Sequence, residues 1–483
     1  MPKSKSKKDF LKTPKGTRDI LPNDALYWQS FEDKAGDLAK AYGFKNIRTP
    51  HIEHADLFMP TLGETSDIVE KQMYSFRTRG GDSLVLRPEW TVPAVRAFFE
   101  HGMHTWPQPV MLYTSGSFFR HENPQKGRFR EFGQFDVEVL GEESPIADAL
   151  VIRLFALIFQ EMGVKNFVVH INTLGDKECR GEYKKELLSF YRRKINSLCR
   201  DCKRRIKTNP LRLLDCKESS CVEVRGEAPK MMDFVCSPCR THFKGVLDLL
   251  DELGVPYFIN PFLVRGLDYY SRTVFEIFVE EPPREKEKEK EKILVPVLTD
   301  SAGLAEGGAG IAASPEIQPE SAGKESSAPS SPTALASGGR YDYLAENLGQ
   351  KKIHGVGGAV GIDRFVEELK SRGIRPSKEK KVDVFLIQIG PQAKKKSLAL
   401  FEVLRKAKLN LAHSFGKDGL RAQLQSADKA GASWALIIGQ KEALDGTLIV
   451  RDMASGAQET VPQGKVLDQL KKKMKSSVKP AGS

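Results

Sequence analysis

The sequence predicts an α+β fold built on an antiparallel sheet, and three observations lead to that prediction. Several apolar, β-rich segments follow one another without intervening helices, which favours antiparallel pairing over a doubly wound parallel sheet. A helix-forming block that contains cysteines, residues 176–253, interrupts them. A shorter region, residues 382–470, alternates strand and helix patterns and is typical of a small α/β domain.

The helices and strands can be placed in chain order. Apolar residues four positions apart, including Phe31 and Ala35, predict a helix over residues 24–42 with Asn23 or Asp24 as its N-cap. Strands are predicted at residues 46–52, 83–87, 110–119, 132–140, 166–171 and, with a turn inside, 263–280. Nearer the C-terminus, strands are predicted at residues 382–389, 434–438 and 447–451, with a helix near residues 395–408.

Residues 282–336 differ from the rest of the chain in composition. A run of alternating Glu and Lys is followed by a stretch rich in Ala, Gly, Ser and Pro. Such a segment cannot bury enough apolar surface to offset the entropy lost on ordering, so it is predicted to be a disordered insertion. Residues 1–12 and 471–483 are basic and are predicted to be a disordered tail and a frayed tail, respectively.

The overall charge and the cysteine content narrow the class of protein. The 483 residues include 75 Lys and Arg against 63 Asp and Glu, a formal net charge of +12, which suits a phosphate-bearing partner. No apolar stretch reaches the roughly 20 residues of a membrane span. Seven cysteines, an odd number, argue against a disulfide framework. The chain is therefore expected to be cytoplasmic, without a membrane partner.

Charged residues concentrate at residues 119–138. A strand, a charged loop and a second strand would place Arg120, Arg128 and Arg130 at the mouth of a hairpin, beside Glu122. Guanidinium groups suit the planar recognition of phosphate and carboxylate. The alternative is a solvated hairpin with surface ion pairs.

A glycine-rich segment, residues 355–364, precedes a helical pattern and ends in Arg364. Its glycines would allow a strand–helix junction to approach a ligand closely. The segment matches neither a dinucleotide-binding fingerprint nor a Walker A loop. By itself it therefore specifies no particular ligand.

Together these segments resemble the motifs of the class II aminoacyl-tRNA synthetases. Phe119-Arg-His-Glu122 is similar to motif 2, residues 357–364 to motif 3, and residues 43–50 with the following helix to the dimer-forming motif 1. Three further segments resemble the histidyl-tRNA synthetase family: residues 13–19, 263–276 and 337–342. The resemblance covers residues 13–280 and 336–470.

The resemblance implies a domain organisation and an activity. The catalytic domain, an antiparallel sheet flanked by helices, would comprise residues 13–175, 254–281 and 337–370. The helical insertion at 176–253, a linker at 371–381 and an anticodon-binding domain at 382–470 would complete the chain. It would form a homodimer, activate L-histidine with ATP and Mg²⁺ to histidyl-adenylate, and transfer histidine to the 3′ end of tRNA(His).

The resemblance also implies roles for individual residues. Arg120 and Arg265 would be catalytic, on either side of the α-phosphate of ATP. The ATP site would contain Arg120, Glu122, Arg128 and Arg364. The histidine site would contain Glu89, Trp90, Thr91, Arg120, Gln134, Glu138, Arg265, Tyr269 and Tyr270.

Within the histidine site, Glu138 and Tyr270 would address the two ring nitrogens of the substrate. A neutral imidazole carries one donor and one acceptor nitrogen, so such a pair suits it, and no editing domain is needed. Trp90 stands where the family commonly has a small residue. Alternation along a strand end would place its indole in the core, opposite Glu89.

Six cysteines raise the question of a zinc site. They are Cys199, Cys202, Cys216, Cys221, Cys236 and Cys239. Two Cys-x-x-Cys pairs are typical of zinc sites, but the separation of those pairs exceeds that of an ordinary zinc ribbon. Free, partly buried thiols are the alternative, and zinc stays open here.

Two other functions compete with the synthetase hypothesis. The synthetase-like regulatory subunit of ATP phosphoribosyltransferase binds histidine without charging tRNA, but typically lacks the catalytic arginine and the C-terminal domain. A basic nucleic-acid-binding scaffold with an inactive catalytic core is the second. The presence of Arg265 and of residues 382–470 argues against the first, and the retained residues Arg120, Glu138, Arg265 and Arg364 argue against the second.

Overall fold

The computed structural model describes residues 11–63, 66, 68–125, 127–279, 334–376 and 381–477. The chain divides into two compact units, Met1–Arg375 and Pro376–Ser483. The predicted tail at 1–12 and the predicted insertion at 282–336 lie almost entirely outside the described residues. The second predicted boundary is nevertheless wrong by three residues, because a strand begins at Ala334 and buries Leu335 and Ala336.

Helices account for much of the described chain. In chain order they are α1 Pro22–Ala41, α2 Met59–Leu62, α3 Thr91–Glu100, α4 Pro145–Glu161, α5 Lys177–Arg193, α6 Arg200–Thr208, α7 Ser219–Gly226, α8 Ser237–Glu252, α9 Leu344–Asn347, α10 Ile362–Ser371, α11 Pro391–Lys406, α12 Leu420–Lys429, α13 Gln440–Asp445 and α14 Val466–Ser477.

The strands of the first unit are β1 Lys45–Asn46, β2 Ile52–His54, β3 Tyr74–Arg77, β4 Ser83–Leu86, β5 Val110–Phe119, β6 Glu131–Leu140, β7 Phe167–Thr173, β8 Tyr257–Ile259, β9 Ser271–Val279, β10 Ala334–Arg340 and β11 Gly355–Gly361. Those of the second unit are β12 Val384–Gln388, β13 Leu411–His413, β14 Trp434–Ile438, β15 Thr447–Asp452 and β16 Gln458–Pro462.

The first unit is organised around an eight-stranded sheet. Its strand order is β1-β5-β6-β11-β10-β9-β7-β8. The pairs from β5 through β7 are antiparallel, and only the short strands at the two edges pair in parallel. The predicted antiparallel sheet of an α+β fold is therefore confirmed. A smaller antiparallel sheet, β2-β4-β3, lies in the same unit.

Helix α4 provides the centre of the apolar core. Ser144 caps its first turn and Pro145 occupies the first helical position, where a missing N–H costs nothing. Ten of its side chains are buried, and the nine that are apolar share one cluster with Phe135 and Val137 of β6. One face of the sheet is therefore closed by packing, and the other face can carry polar groups.

Two local predictions near the N-terminus need correction. Helix α1 begins at Pro22 with Leu21 in the N-cap position, rather than with Asn23 or Asp24 as the cap. The fixed φ of proline starts the helix without a capping side chain. The strand predicted at 46–52 is split into β1 and β2, because Pro50 cannot donate a ladder hydrogen bond.

The cysteine-bearing block is helical, as predicted. Helices α5 to α8 pack around their own apolar cluster, which includes Tyr183, Leu187 and Leu213. All seven cysteines of the chain lie in or beside this cluster, and none forms a disulfide.

The second unit contains the predicted α/β domain. Its sheet has the order β13-β12-β14-β15-β16, with parallel pairs among the first three strands and antiparallel pairs among the last three. Helix α14 continues to Ser477, which corrects the frayed tail predicted from residue 471. The extension is favoured because Met474 packs on the apolar cluster and Lys473 pairs with Glu459 at 2.9 Å. No helix in the described part of the chain could cross a membrane.

Candidate active site

A pocket opens on the polar face of the large sheet. Strands β6, β10 and β11, the β5–β6 loop and the start of α10 provide its walls. Five of the predicted site residues line it: Arg120, Glu122, Arg128, Gln134 and Arg364. It is therefore the part of the structure in which the predicted ATP residues meet.

Strand periodicity explains why β6 presents polar groups to this face. Successive side chains of a strand point to opposite sides, so Gln134, Asp136 and Glu138 share one face while Phe135 and Val137 share the other. The apolar pair packs on the α4 core. Asp136 and Glu138 are buried, at 5% and 1% exposure, although both are acidic.

The glycines of β11 make room for these side chains. Gly357 lies opposite Glu138, and Gly361 lies opposite Gln134, in the antiparallel register. A Cβ on Gly357 would lie 1.6 Å from Glu138 Oε2, which leaves no space for any side chain. The glycine run predicted to permit a close approach therefore accommodates the carboxyl group of Glu138.

Glu138 is held by two hydroxyl donors. Thr91 Oγ1 donates to Glu138 Oε1 at 2.6 Å, and the Tyr341 hydroxyl donates to Oε2. Burial raises the pKa of Glu138 to about 8, against the opposing effect of these hydrogen bonds. A group that donates a proton or carries positive charge would stabilise its ionised form.

Glu89 sits at the start of helix α3. Its carboxylate accepts hydrogen bonds from the backbone N–H groups of Thr91, at 3.0 Å, and Val92, at 2.9 Å. The Tyr269 hydroxyl also donates to it, at 3.2 Å. Burial raises the pKa of Glu89 despite these donors. Glu89, Thr91, Glu138 and Tyr269 thus belong to one connected network.

Gln134 and Trp90 contribute differently. The Gln134 side-chain oxygen is buried and has no hydrogen-bond partner among the described residues. It lines the pocket, where a ligand donor could reach it. Trp90 is 1% exposed and belongs to an apolar cluster, as expected for an indole in the core. The expected reason is wrong, because Trp90 precedes helix α3 and does not lie on a strand.

Arg120 and Arg265 are both partly buried beside the network. Arg120 Nε donates to the carbonyl of Pro88 at 2.8 Å, and Arg265 donates to Glu276 and, at 2.8 Å, to Ser337 Oγ. Burial lowers the pKa of Arg120, and the positive charge of Arg265 lowers it further. The two guanidinium groups are thus close enough to repel each other.

Two more arginines complete a positively charged wall. Arg364 Nε donates to the carbonyl of Gly127 at 3.2 Å, and Arg128 lies 3.6 Å from Glu122. Burial lowers the pKa of Arg364, and the charges of Arg128 and Arg120 lower it further. Four cations that repel one another around a pocket constitute a site for a polyanion.

The opening segment of the chain braces this wall. Arg18 donates to Asp363 Oδ1 at 2.9 Å, and Asp363 Oδ2 accepts from the backbone N–H of Gly133 at 2.8 Å. The Arg130 N–H donates to the Gly16 carbonyl at 2.7 Å. Segments distant in sequence are thereby joined directly behind the pocket.

Sequence reasoning missed several groups that the structure places in the site. They are Asp136, Glu276, Ser337 and Tyr341. The two-residue spacing from Gln134 through Glu138 could have revealed Asp136. Tyr341 lies in the segment 337–342 that resembles the family, but no local pattern shows that it contacts Glu138, 203 positions away.

An antiparallel sheet with a buried acidic network and a converging set of arginines defines a class II aminoacyl-tRNA synthetase. The comparisons with known proteins narrow the class. Residues 16–285 match the family model described as histidyl-tRNA synthetase, and residues 383–473 match the anticodon binding domain.

Full-length relatives agree with these matches. The histidine–tRNA ligase of Natranaerobius thermophilus is 38% identical over 94% of this chain and 97% of its own. That of Halothermothrix orenii is 38% identical over 96% of this chain and 99% of its own. The crystal structure of apo Staphylococcus aureus histidyl-tRNA synthetase matches with a TM-score of 0.72 and 31% identity, covering 95% of this chain and all of that one. The chain belongs to the histidyl-tRNA synthetase family.

Proposed function

We propose that this chain is a histidine–tRNA ligase that uses the pocket described above for both chemical steps. In the first step the carboxylate of L-histidine attacks the α-phosphorus of ATP, and the bond to pyrophosphate breaks. In the second, a ribose hydroxyl at the 3′ end of tRNA(His) attacks the activated carbonyl, and AMP leaves. The observation that carries the proposal is that Arg120, Arg128 and Arg364 line one pocket, and that Arg265 and the buried Glu89 lie close enough to Arg120 to shift its pKa.

The arginines would stabilise the charge that develops during activation. Arg120 and Arg265 would flank the α-phosphate, because their guanidinium groups are partly buried and repel each other until an anion lies between them. Arg364 and Arg128 would hold the remaining phosphates. Preorganised cations in a site shielded from water are the main resource for such chemistry.

The acidic network would recognise histidine. Glu89, Thr91 and Gln134 would bind the α-ammonium group, and the unpaired Gln134 oxygen supplies one acceptor. Glu138 and Tyr270 would address the two ring nitrogens, with Tyr269 lining the pocket. Trp90 would act through packing alone, because its side chain is buried in the apolar cluster.

Magnesium would enter with ATP, and it would neutralise part of the negative charge of the phosphates. Mg²⁺ binds one or two carboxylates together with substrate phosphates. Glu276 and Glu122 each pair with an arginine, Arg265 and Arg128 respectively, but only Glu122 lines the pocket. Glu122 is therefore the residue that fits as the protein ligand.

The second unit would bind the anticodon, and the working form would be a homodimer located in the cytoplasm. The match of residues 383–473 to the anticodon binding domain supports the first assignment. The exposed side chains of Tyr42 and Ile52, next to the segment that resembles the dimer-forming motif 1, support the homodimer. A chain truncated after Arg375 should still form histidyl-adenylate but charge tRNA poorly, and equal charging by both chains would contradict the assignment.

The competing regulatory subunit is not favoured. Arg265 is present and partly buried beside the pocket, and the C-terminal unit is present as well. An inactive scaffold would have no reason to retain converging, mutually repelling arginines.

The decisive experiment is a single-turnover measurement of histidyl-adenylate formation from ATP and histidine. We expect a burst that requires histidine among the standard amino acids. Arg405→Ala, which alters a surface pair with Glu402, is the control and should leave the burst unchanged. A folded protein that binds histidine without forming adenylate would refute the proposed activity.

A further inference from the structure

The cysteines of the helical region form two groups rather than one. The first group is Cys199, Cys202, Cys216 and Cys221, and the second is Asp176, Cys179, Cys236 and Cys239. In each group the four ligand atoms lie within 4.8 Å of one another. The single site of six cysteines considered from the sequence is therefore wrong, and Asp176 and Cys179 were missed. The chain's seven cysteines and one aspartate supply eight ligands.

The first group has the geometry of a tetrahedral thiolate site. A zinc ion with bonds of about 2.3 Å to sulfur separates its sulfur ligands by about 3.8 Å. Cys199 Sγ and Cys216 Sγ lie 3.9 Å apart. Backbone N–H groups already point at two sulfurs: that of Cys199 donates to Cys221 Sγ at 3.2 Å, and that of Cys202 donates to Cys199 Sγ at 3.4 Å. Such donors stabilise and orient metal-bound thiolates.

The second group uses an aspartate in place of the fourth thiol. Asp176 Oδ1 caps helix α5 by accepting from the Cys179 N–H at 3.0 Å. Its other oxygen, Oδ2, lies 3.2 Å from Cys239 Sγ and 3.5 Å from Cys236 Sγ. The Cys236 N–H donates to Cys179 Sγ at 3.0 Å. One carboxylate oxygen thus holds the helix while the other faces three thiols.

We propose that the helical region binds two zinc ions, one at each group. Sulfur-rich tetrahedral sites select zinc or iron–sulfur clusters, and the nitrogen- and oxygen-binding divalent metals fit them poorly. Both sites are closed, with four protein ligands and no position left for substrate, so the zinc ions are structural.

The order of the ligands along the chain indicates what each ion stabilises. The first group is nested inside the second, so the Asp176 site joins the beginning of α5 to the beginning of α8. Cys179 and Cys236 are 57 positions apart, whereas Cys199 and Cys216 are 17 apart. A small helical region with a modest apolar core gains stability from such cross-links.

Metal analysis of the full-length protein, purified under reducing conditions, tests the proposal. We expect two zinc ions per chain by mass spectrometry of the metals. Cys216→Ser should retain one ion and Cys239→Ser should retain one. Zinc X-ray absorption of Cys216→Ser should then show three sulfur neighbours and one oxygen, because only the Asp176 site remains.

A compensating variant separates ligation from a merely structural role. Asp176→Cys should keep two zinc ions, because cysteine already occupies the N-cap position of α6 and of α8. In the Cys216→Ser background it should convert the remaining site to four sulfurs. The Asp176→Cys variant also tests the second site if Cys239→Ser does not fold.

Several outcomes would overturn the inference. The inference fails if all seven thiols react as fast in the native protein as in urea and no metal is bound after anaerobic incubation with zinc. Intramolecular disulfides or bound iron in place of zinc would overturn it as well. Adenylate formation by metal-free protein would leave the proposed function standing, so the two proposals fail independently.

Discussion

The two units of this chain bury different kinds of polar residue. In the described part of the first unit, ten Asp, Glu, Arg and His side chains are buried, among them Glu89, Asp136, Glu138 and Arg340. In the described part of the second unit, the buried polar side chains are Gln388, Ser397 and Gln423, all neutral. Burying a charge costs far more free energy than burying an amide. The buried charges of the first unit therefore lower its stability in a way that the neutral groups of the second unit do not.

This difference corresponds to two kinds of task, a chemical reaction in the first unit and the binding of a nucleic acid in the second. A site that moves charge on a phosphate needs ionised groups held away from water. A domain that recognises a nucleic-acid surface can keep its charges on the outside and its core neutral. The predictions below test this contrast, in order of decreasing effect.

The largest expected effect concerns the buried pair of Arg340 and Asp148. Arg340 Nε lies 3.1 and 3.2 Å from the two Asp148 oxygens, and Arg340 lowers the pKa of Asp148 to about 2 in spite of burial. Arg340→Met should lower the free energy of unfolding by about 3–5 kcal/mol, because it removes the arginine that pairs with the buried Asp148 carboxylate and leaves only His242 Nε2, 3.5 Å away. Urea denaturation measures this, and the double variant with Asp148→Leu should recover part of the loss. A change below about 1 kcal/mol in Arg340→Met would contradict the cost assigned to buried charge.

Arg265 should affect rate more than stability. Arg265→Ala is expected to slow ATP–pyrophosphate exchange by about 10²–10³-fold, the usual effect of losing one transition-state charge contact. Histidine affinity should change much less. Exchange within tenfold of the unaltered enzyme would remove Arg265 from the activation step.

Glu138 should set the affinity for the side chain of the substrate. Glu138→Gln keeps the shape but cannot ionise to accept a ring N–H of the bound substrate, so histidine binding should weaken by about 1.5–3 kcal/mol in calorimetry. The matched control is Glu442→Gln, a helix-cap residue of the second unit, which should leave histidine affinity unchanged. Unchanged affinity in Glu138→Gln would mean that the histidine pocket is wrongly assigned.

The neutral pair of Gln388 and Gln423 in the second unit is the counterpart of the charged pair of Arg340 and Asp148. Gln423 accepts from the Gln388 N–H at 3.1 Å and donates to the Gln388 carbonyl at 2.7 Å. Gln423→Leu should cost about 1–3 kcal/mol of stability, because it leaves buried backbone groups unsatisfied. Adenylate formation should stay intact. A loss as large as that of Arg340→Met would remove the contrast between the two cores.

The smallest expected effect, taken per pH unit, is a pH dependence of stability. The folded-state pKa of Glu138 is raised from 4.5 to about 8, so the folded protein binds this proton more tightly than the unfolded chain. Stability is therefore lost as pH rises through this range, by at most about 1.4 kcal/mol per pH unit for one proton. The slope between pH 5 and 8 (about the span of that shift) should be shallower in Glu138→Gln. Equal slopes would show that Glu138 does not hold the proton.

Much of the fold followed from local patterns. The predicted strand at 110–119 coincides with β5, and the one at 132–140 differs from β6 by one residue, because alternation of side chains is a property of neighbouring positions. The split of the strand at 46–52 was missed because Pro50 interrupts hydrogen bonding that the apolar pattern does not report. The candidate site was predictable in part, since its arginines and Glu138 lie in recognisable motifs.

Composition and periodicity were sufficient for the class of fold and for the helical interruption, and the resemblance to known motifs supplied the residues proposed to bind ATP and histidine. Tertiary structure alone decided which groups meet: Tyr341 with Glu138, Arg18 with Asp363, and Asp176 with three cysteines. It also decided that the Glu138 carboxyl group is buried and holds its proton near neutral pH. Local patterns depend on interactions between residues a few positions apart. Ligand geometry and pKa depend on burial and on partners that only the folded chain brings together.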